Sequence, residues 1–484
     1  MLPWKSIIQL QRQEGTPLYL QIVHTIIREV RNGHLTPGQK LPGTRYLADQ
    51  LELNRKTVVL AYEELMAQDW IQILPSKGAF VADKLPVLTT AFFQNPYLQE
   101  SRRSPGFSIP EIPALLGHHH PPPGLLKITD GSPDIRLAPM QSLYRHCRRI
   151  VEMGSGKKYL AYREVEGEGQ LRNVLTTYLI ATRGLNCTEE ELLITRGSQM
   201  GLFLIFTLLL RSGGNVIVGE TTYPVVEELV QYLGGKVLRV KVDQEGMVTE
   251  EVEALCAKHP ITAIYLTPHH HYPTTVTLCA ERRLRLLELS KRYRFAIVED
   301  DYDYDYHYSS SPLLPLASLD NAGTVIYLGS FTKCIAPSVR IGYLIAPRKM
   351  IVALSNIRKI VDRQGDPVME RALSIMLSEG EVQAHIRKSV KIYRQRRDIF
   401  CQLLKKYFKD KIAFTKPSGG MAVWCTFQSD LPVDTFFTVA QKQGIWLEDA
   451  RQWWSESRSM RLGFASLNEA EMEFGVKAMA NILT

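Results

Sequence analysis

Nothing in the cysteine spacing organises this chain. Its seven cysteines, Cys147, Cys187, Cys256, Cys279, Cys334, Cys401 and Cys425, are scattered and odd in number. They lack the CxxC pairs of a zinc ribbon and the density of a disulfide framework, so a reducing cytoplasm fits. Long apolar runs are also missing. Leu202 to Leu210 falls far below the ~20 residues a membrane span needs, and the opening MLPWKSIIQLQRQEG holds too short an apolar stretch for a signal peptide. No GxGxxG turn followed by an acidic residue ~20 positions on is evident, and no Walker motif, which argues against a nicotinamide or P-loop nucleotide site. Charge of one sign is only mildly in excess, with 58 Lys/Arg against 50 Asp/Glu and a net charge of +8. That balance permits an acidic partner such as DNA but does not demand one.

What is present reads in three parts. The 484 residues, 45% of them hydrophobic, allow roughly three units of ~150 residues. Apolar residues at Leu20, Val23, Ile26, Ile27 and Val30 predict a helix that Gly33 ends. Thr44 is expected to cap a short helix with Leu47, Ala48 and Leu51 inward. Asn54 is expected to cap a third, with Val58, Val59, Ala61, Tyr62, Leu65 and Met66 inward. Ile71–Leu74 and Ala79–Ala82 read as two short strands around Pro75-Ser76-Lys77-Gly78. The pattern is three helices and a β-wing over residues 1–84. This part holds ten Lys/Arg against eight Asp/Glu, so charge alone does not mark it. Position does: Arg45, Arg55, Lys56 and Thr57 fall at helix starts and Lys77 at the wing tip. A helix N-terminus with cations and a hydroxyl is the end a recognition helix presents to the major groove.

From Leu85 to Leu126 the patterning fails, and prolines at 86, 96, 105, 110, 113 and 121–123 predict an extended, semi-stiff linker. His118-His119-His120 within it reads as a solvated patch, because a metal site needs ligands converging from several directions. Residues 127–484 then alternate short apolar strands with amphipathic helices, the pattern of a mainly parallel sheet. Five strand ends carry chemistry. Leu192–Ile194 leads to Ser198 and Gln199, where small residues open a helix and offer N–H groups to a phosphate. Val216–Val218 leads to Tyr223, which could flank a flat ring. Ala263–Leu266 leads to a histidine run and Tyr272-Pro273-Thr274-Thr275. Phe295–Val298 leads to Asp300 and Tyr302, a carboxylate for a protonated ring nitrogen and a phenol for a ring oxygen. Val325–Leu328 leads to Ser330, Lys333 and Arg340. A lone lysine at a strand end is most often a solvated turn residue. With these partners it becomes the amine that forms a Schiff base with an aldehyde, and pyridoxal 5′-phosphate asks for this set of groups.

Two resemblances follow from the quoted residues. PLYLQIVHTIIREVRNGHLTPGQKLPGTRYLADQLELNRKTVVLAYEELMAQDWIQILPSKGAFV resembles the winged helix-turn-helix domain of GntR-type bacterial regulators. Gly43 stands where that family usually has serine, and Ser76-Lys77-Gly78-Ala79 replaces a more glycine-rich wing tip. From about Lys127 onward, the order and spacing resemble fold-type-I aminotransferases. This implies that Lys333 forms the Schiff base with pyridoxal 5′-phosphate and that Asp300 pairs with the ring nitrogen. It also implies that Tyr302 bonds the ring oxygen, that Ser198, Gln199, Ser330 and Arg340 hold the phosphate, and that Tyr223 flanks the ring. Met460-Arg461-Leu462-Gly463 resembles the segment whose arginine clamps an α-carboxylate, so Arg461 is expected to bind the effector. Tyr272-Pro273-Thr274-Thr275 departs from the family's Asn-Pro-Thr-Gly, losing an asparagine at the ring oxygen and stiffening the turn. His269 and His271 either fill that gap or pack.

The two halves together are similar to the MocR subfamily. That resemblance implies a multidomain protein, a winged helix-turn-helix joined to an α/β aminotransferase-like domain. It would regulate transcription in the bacterial cytoplasm, on the nucleoid when bound to double-stranded DNA, and sense an amino acid, another amine or pyridoxal phosphate. It would work as a head-to-tail homodimer, with at most weak transaminase activity and no membrane or metal. The alternative expectation is an aminotransferase with an accessory DNA-binding domain.

Overall fold

The computed structural model describes residues 3–11, 15–86, 107–109, 123–128, 131–308, 313–428, 433–447 and 458–482. The chain divides into two compact units, Met1–Ile112 and Pro113–Thr484. Most of the expected linker, His118–His120 included, lies outside the described residues.

In the first unit, α1 (Leu18–Arg31), α2 (Thr44–Gln50) and α3 (Arg55–Ala67) precede the antiparallel strands β1 (Ile71–Leu74) and β2 (Gly78–Val81). Its core is its own, with Ile22, Ile26, Leu47, Val58, Ala61, Leu65 and Val81 almost wholly buried. Asn54 caps α3 as its side chain predicts, accepting from the Lys56 N–H at 2.9 Å; such a cap contributes about 1 kcal/mol. Thr44 does not cap α2. Gly43 holds the N-cap position and no side chain takes the free N–H groups there. Met66 is exposed rather than inward, because Leu65 already fills the inner position of that turn.

In the second unit, seven strands form one sheet: β3 (Leu192–Thr195), β4 (Asn215–Gly219), β5 (Lys236–Val240), β6 (Ile261–Leu266), β7 (Ala296–Asp301), β8 (Val325–Ser330) and β9 (Gly342–Ile345). Their order across the sheet is β3-β9-β8-β7-β6-β4-β5, with β9 antiparallel to both neighbours and the other pairings parallel. Strands such as β8, Val325–Ser330, open as continuous apolar runs because helices cover both faces. On one face, Tyr265, Val298 and Leu328 join residues of α6 (Ser198–Leu209), α7 (Pro224–Tyr232) and α9 (Arg348–Val361). On the other, Ile264 and Ile297 meet Leu286 and Leu289 of α8 (Ala280–Tyr293). β7 runs three residues beyond the expected Val298, so Asp300 is a strand residue, registered against Leu328 of β8. Side chains alternate along a strand, which turns Asp300 to the same face as Val298.

The rest of the unit includes α4 (Met140–Glu152), α5 (Gly169–Arg183), α10 (Pro367–Ser378), the 28-residue α11 (Glu381–Phe408) and α12 (Glu469–Ile482). With them goes an antiparallel sheet of β10 (Ile412–Phe414), β11 (Ala422–Phe427) and β12 (Ser459–Gly463), in which Arg461 lies opposite Trp424. No helix among the described residues is long and apolar enough to cross a membrane.

Candidate functional site

A cavity of about 200 Å³ opens at the carboxyl ends of β3, β6, β7 and β8, the edge where open α/β sheets place their ligands. Nine residues singled out in the sequence line it together: Ser198, Gln199, Tyr223, Asp300, Tyr302, Ser330, Lys333, Arg340 and Arg461. Tyr265, Thr267, Tyr272 and Thr332 complete the wall.

At one end, α6 begins at Ser198 with no side-chain cap, leaving its first N–H groups and its positive dipole end for an anion. Arg340 crosses this helix start and donates from Nη2 to Arg196 O at 3.0 Å. Its φ of 50° is left-handed, an arrangement that costs a non-glycine residue energy and concentrates at ligand clamps. Gly197 adopts φ 78° and ψ 172°, a region open essentially to glycine alone, and a Cβ there would also crowd the Arg340 Nη2 at 3.0 Å. Ser330 Oγ donates to Thr332 Oγ1 at 2.8 Å and holds the β8 end in a tight turn. The amine of Lys333 donates to Gly131 O at 2.8 Å.

Asp300 lies at the bottom. Tyr265 donates to its Oδ2 at 2.9 Å, while its buried Oδ1 has no partner. Burial pushes its carboxyl up to about 7, reinforced by Asp301 and Asp303 and opposed by the Tyr265 bond. An unpaired buried acceptor of this kind fits a donor brought by a ligand, such as a ring N–H. Because the folded value exceeds the ordinary 3.8, the stabilisation is full below pH 3.8 and is lost as pH rises through about 7. Asp300→Asn should therefore flatten the fall in melting temperature of the ligand-free protein across that window. An unchanged slope in calorimetry would contradict this assignment.

Opposite the phosphate-type end, Arg461 is almost wholly buried. It donates to Pro273 O at 2.8 Å and to the Tyr302 hydroxyl at 3.2 Å, and its guanidinium stacks on Tyr272 at 5.0 Å. Tyr302 in turn donates to His270 O at 2.9 Å, so its proton points at backbone in this state.

The three histidines that follow β6 pack rather than converge. His269 pairs with Asp301 at 3.1 Å, His270 with Asp303 at 2.8 Å, and His271 with Thr274 Oγ1 at 2.9 Å. Burial, then the Arg461 charge, push His271 down to about 3, so it stays neutral beside that guanidinium. Among the described residues, the one cluster of metal-ligating type within 4.8 Å is His146, Glu379 and Glu381, far from this run in sequence. Thr275 adopts φ 66°, so a side chain occupies a backbone conformation that glycine takes more easily.

Sequence reasoning passed over Tyr265 and Gly131. Tyr265 had a signal: a lone aromatic in the strand Ile261–Leu266. Gly131 had none short of the fold. In the first unit, Arg45, Arg55, Lys56 and Lys77 are exposed and Thr57 is half-buried.

Comparison with known proteins adds two family matches. Aminotransferase class I and II covers residues 132–479, and bacterial regulatory proteins of the gntR family cover residues 18–81. The HTH-type transcriptional regulator TauR of Rhodobacter capsulatus is 28% identical over 493 residues, spanning 100% of this chain and 99% of that one. The probable rhizopine catabolism regulatory protein MocR of Rhizobium meliloti is 26% identical, spanning 98% and 95%. Among solved structures, the kynurenine aminotransferase of Pyrococcus horikoshii, crystallised with PMP, superposes with a TM-score of 0.70 at 27% identity. The match covers 74% of this chain and 91% of that one.

Proposed function

The chain belongs to the aminotransferase class I and II family and carries a gntR-type helix-turn-helix ahead of it, and from that pairing we infer a MocR-type transcriptional regulator that holds pyridoxal 5′-phosphate and reads an amine through it. The observation that carries this reading is the joint presence of both parts in one chain, matched end to end by relatives named as regulators.

The cavity's donor set suits the cofactor. Ser198, Gln199, Ser330 and Arg340 would hold its phosphate, Tyr223 would flank its ring, Asp300 would take the ring N–H on its free Oδ1, and Tyr302 would reach the ring oxygen. When bound, the cofactor supplies an aldehyde that condenses with primary amines. The chain's own residues do the rest. Lys333 presents its amine from the β8 end. Arg461 offers a bidentate guanidinium to a carboxylate and orients the Tyr302 phenol. Stacking on Tyr272 leaves that guanidinium a fixed plane to present.

Thr275 and the missing asparagine favour sensing over turnover, with at most weak transamination. Arg45, Arg55, Lys56, Thr57 and Lys77 would contact double-stranded DNA. Two copies would assemble through exposed apolar side chains such as Leu160, Tyr162 and Ile360, and the family resemblance implies that they lie head to tail. The protein would work in the cytoplasm, on the nucleoid when bound. An effector need supply only a coupling of ~1–3 kcal/mol to switch DNA affinity. The test is a titration with a panel of amines, reading visible absorbance and retention of the protein's own upstream DNA in the same samples. One class of amine should move both. Spectral change without any change in DNA retention would overturn the sensing role, and accumulation of pyridoxamine phosphate over many turnovers would favour an aminotransferase.

A further inference from the structure

The formal charge of the chain is concentrated in one helix. Residues 381–411, α11 and the turn after it, hold ten Lys/Arg and three Asp/Glu, a surplus of seven in a chain whose whole surplus is eight. The helix-turn-helix part, with ten against eight, is almost balanced. Some of the α11 cations are structural: Arg396 is half-buried on Asp134 and Ala465 O, and Arg397 is buried on Asp398 and Pro417 O. Four others are not. Arg387, Lys388, Lys391 and Arg394 are exposed, and none has an acidic partner among the described residues.

Helical spacing sets these four on one side, because residues three and four apart are neighbours. Arg387 and Arg394 are separated by about 10 Å along the axis at ~1.5 Å per residue. An ordinary solvated face would interleave the two signs, as this unit does elsewhere: Arg148 meets Glu152 at 2.7 Å, and Arg285 meets Glu288 and Glu253 at 2.6 Å each. On α11, like charges sit at i,i+3 and i,i+4, which opposes the helix. The two carboxylates on the same helix are already engaged, Glu381 by Ser142, His146 and Arg145 and Asp398 by Arg397 and Lys416. The surface is therefore built for a polyanion. A strand of B-DNA advances ~3.4 Å per phosphate, so ~10 Å of helix faces about three of them.

We propose that the Arg387–Lys388–Lys391–Arg394 face of α11 is a second DNA-contacting surface, gripping phosphates without reading bases, on the aminotransferase-type unit itself. The proposal rests on the DNA-binding reading above, and its test separates the two. The full-length variant R387Q/K388Q/K391Q/R394Q is compared with wild type on a duplex of random sequence and on the protein's own upstream DNA, across a salt series. All four side chains are exposed, and an unchanged thermal melt and amine titration would certify the fold.

The expected result is an equal loss of affinity on both duplexes, roughly ten-fold or more, with the slope of log K against log salt shallower by about three. Unchanged slopes on both duplexes overturn the proposal and leave the face to another acidic partner. A loss confined to the upstream duplex overturns it too, since that would be base reading. If Arg55→Ala with Lys56→Ala keeps specific binding, the reader is misplaced, yet the salt slope still judges α11.

Discussion

Lys333→Ala should leave the purified protein without the visible absorbance that pyridoxal phosphate shows when joined to a protein amine, and its DNA retention should no longer respond to amines. The reasoning starts from position. Lys333 is the lysine of the cavity wall, and alanine removes the amine without disturbing the buried turn, which Ser330, Thr332 and the Phe331–Ile341 backbone bond hold independently. The α6 start and Arg340, proposed to hold the phosphate, are untouched, so the cofactor should still bind, but more weakly. A ~100-fold loss corresponds to ~2.8 kcal/mol at 1.4 kcal/mol per decade. Equilibrium dialysis measures the affinity and absorbance the linkage. An unchanged spectrum in the variant would remove Lys333 from its assigned role, and the cofactor assignment with it.

Arg55→Ala combined with Lys56→Ala should abolish specific retention of upstream DNA in a mobility-shift assay. Both side chains lie in the first turn of α3 and are exposed. The helix keeps its Asn54 cap and its inner face of Val58, Ala61, Tyr62 and Leu65, so the fold should survive. Each contact to a base edge or phosphate is worth ~1–3 kcal/mol, and losing two weakens binding by ~100-fold or more. Full retention would move recognition to another element.

Much of the site was legible because strand ends announce themselves: an apolar run stops and a functional side chain follows. Lys333, Asp300, Ser330 and Arg340 could be read that way. Asp300 shows the limit. Its strand continues through three successive carboxylates, Glu299, Asp300 and Asp301, against the usual preference of strands for apolar residues; for the last two, Tyr265, His269 and Tyr327 wait inside the fold. Partners separated by 26 or more residues leave no local trace. The histidine run failed to be legible for the same reason. Which imidazole Asp301 and Asp303 would each meet depends on how two segments distant in sequence stack. In the first unit, Thr44 was misread as a cap because the capping preference of threonine is local, whereas Gly43 gains its place from the turn that precedes α2. Met66 shows that apolarity assigns a helix face only to within a residue.

The bond between the Lys333 amine and Gly131 O has one more implication. Gly131 also lies against Arg461, whose Nη2 would stand 3.6 Å from a Cβ placed there. So the Lys333 amine and the Arg461 guanidinium both meet one backbone position, five residues past Leu126, where the proline-rich stretch ends. On the sensing role proposed above, a molecule that drew Lys333 or Arg461 away would release Gly131 from that contact, and the signal would pass to the linker along the chain itself, a wiring short enough for a very small ligand to work.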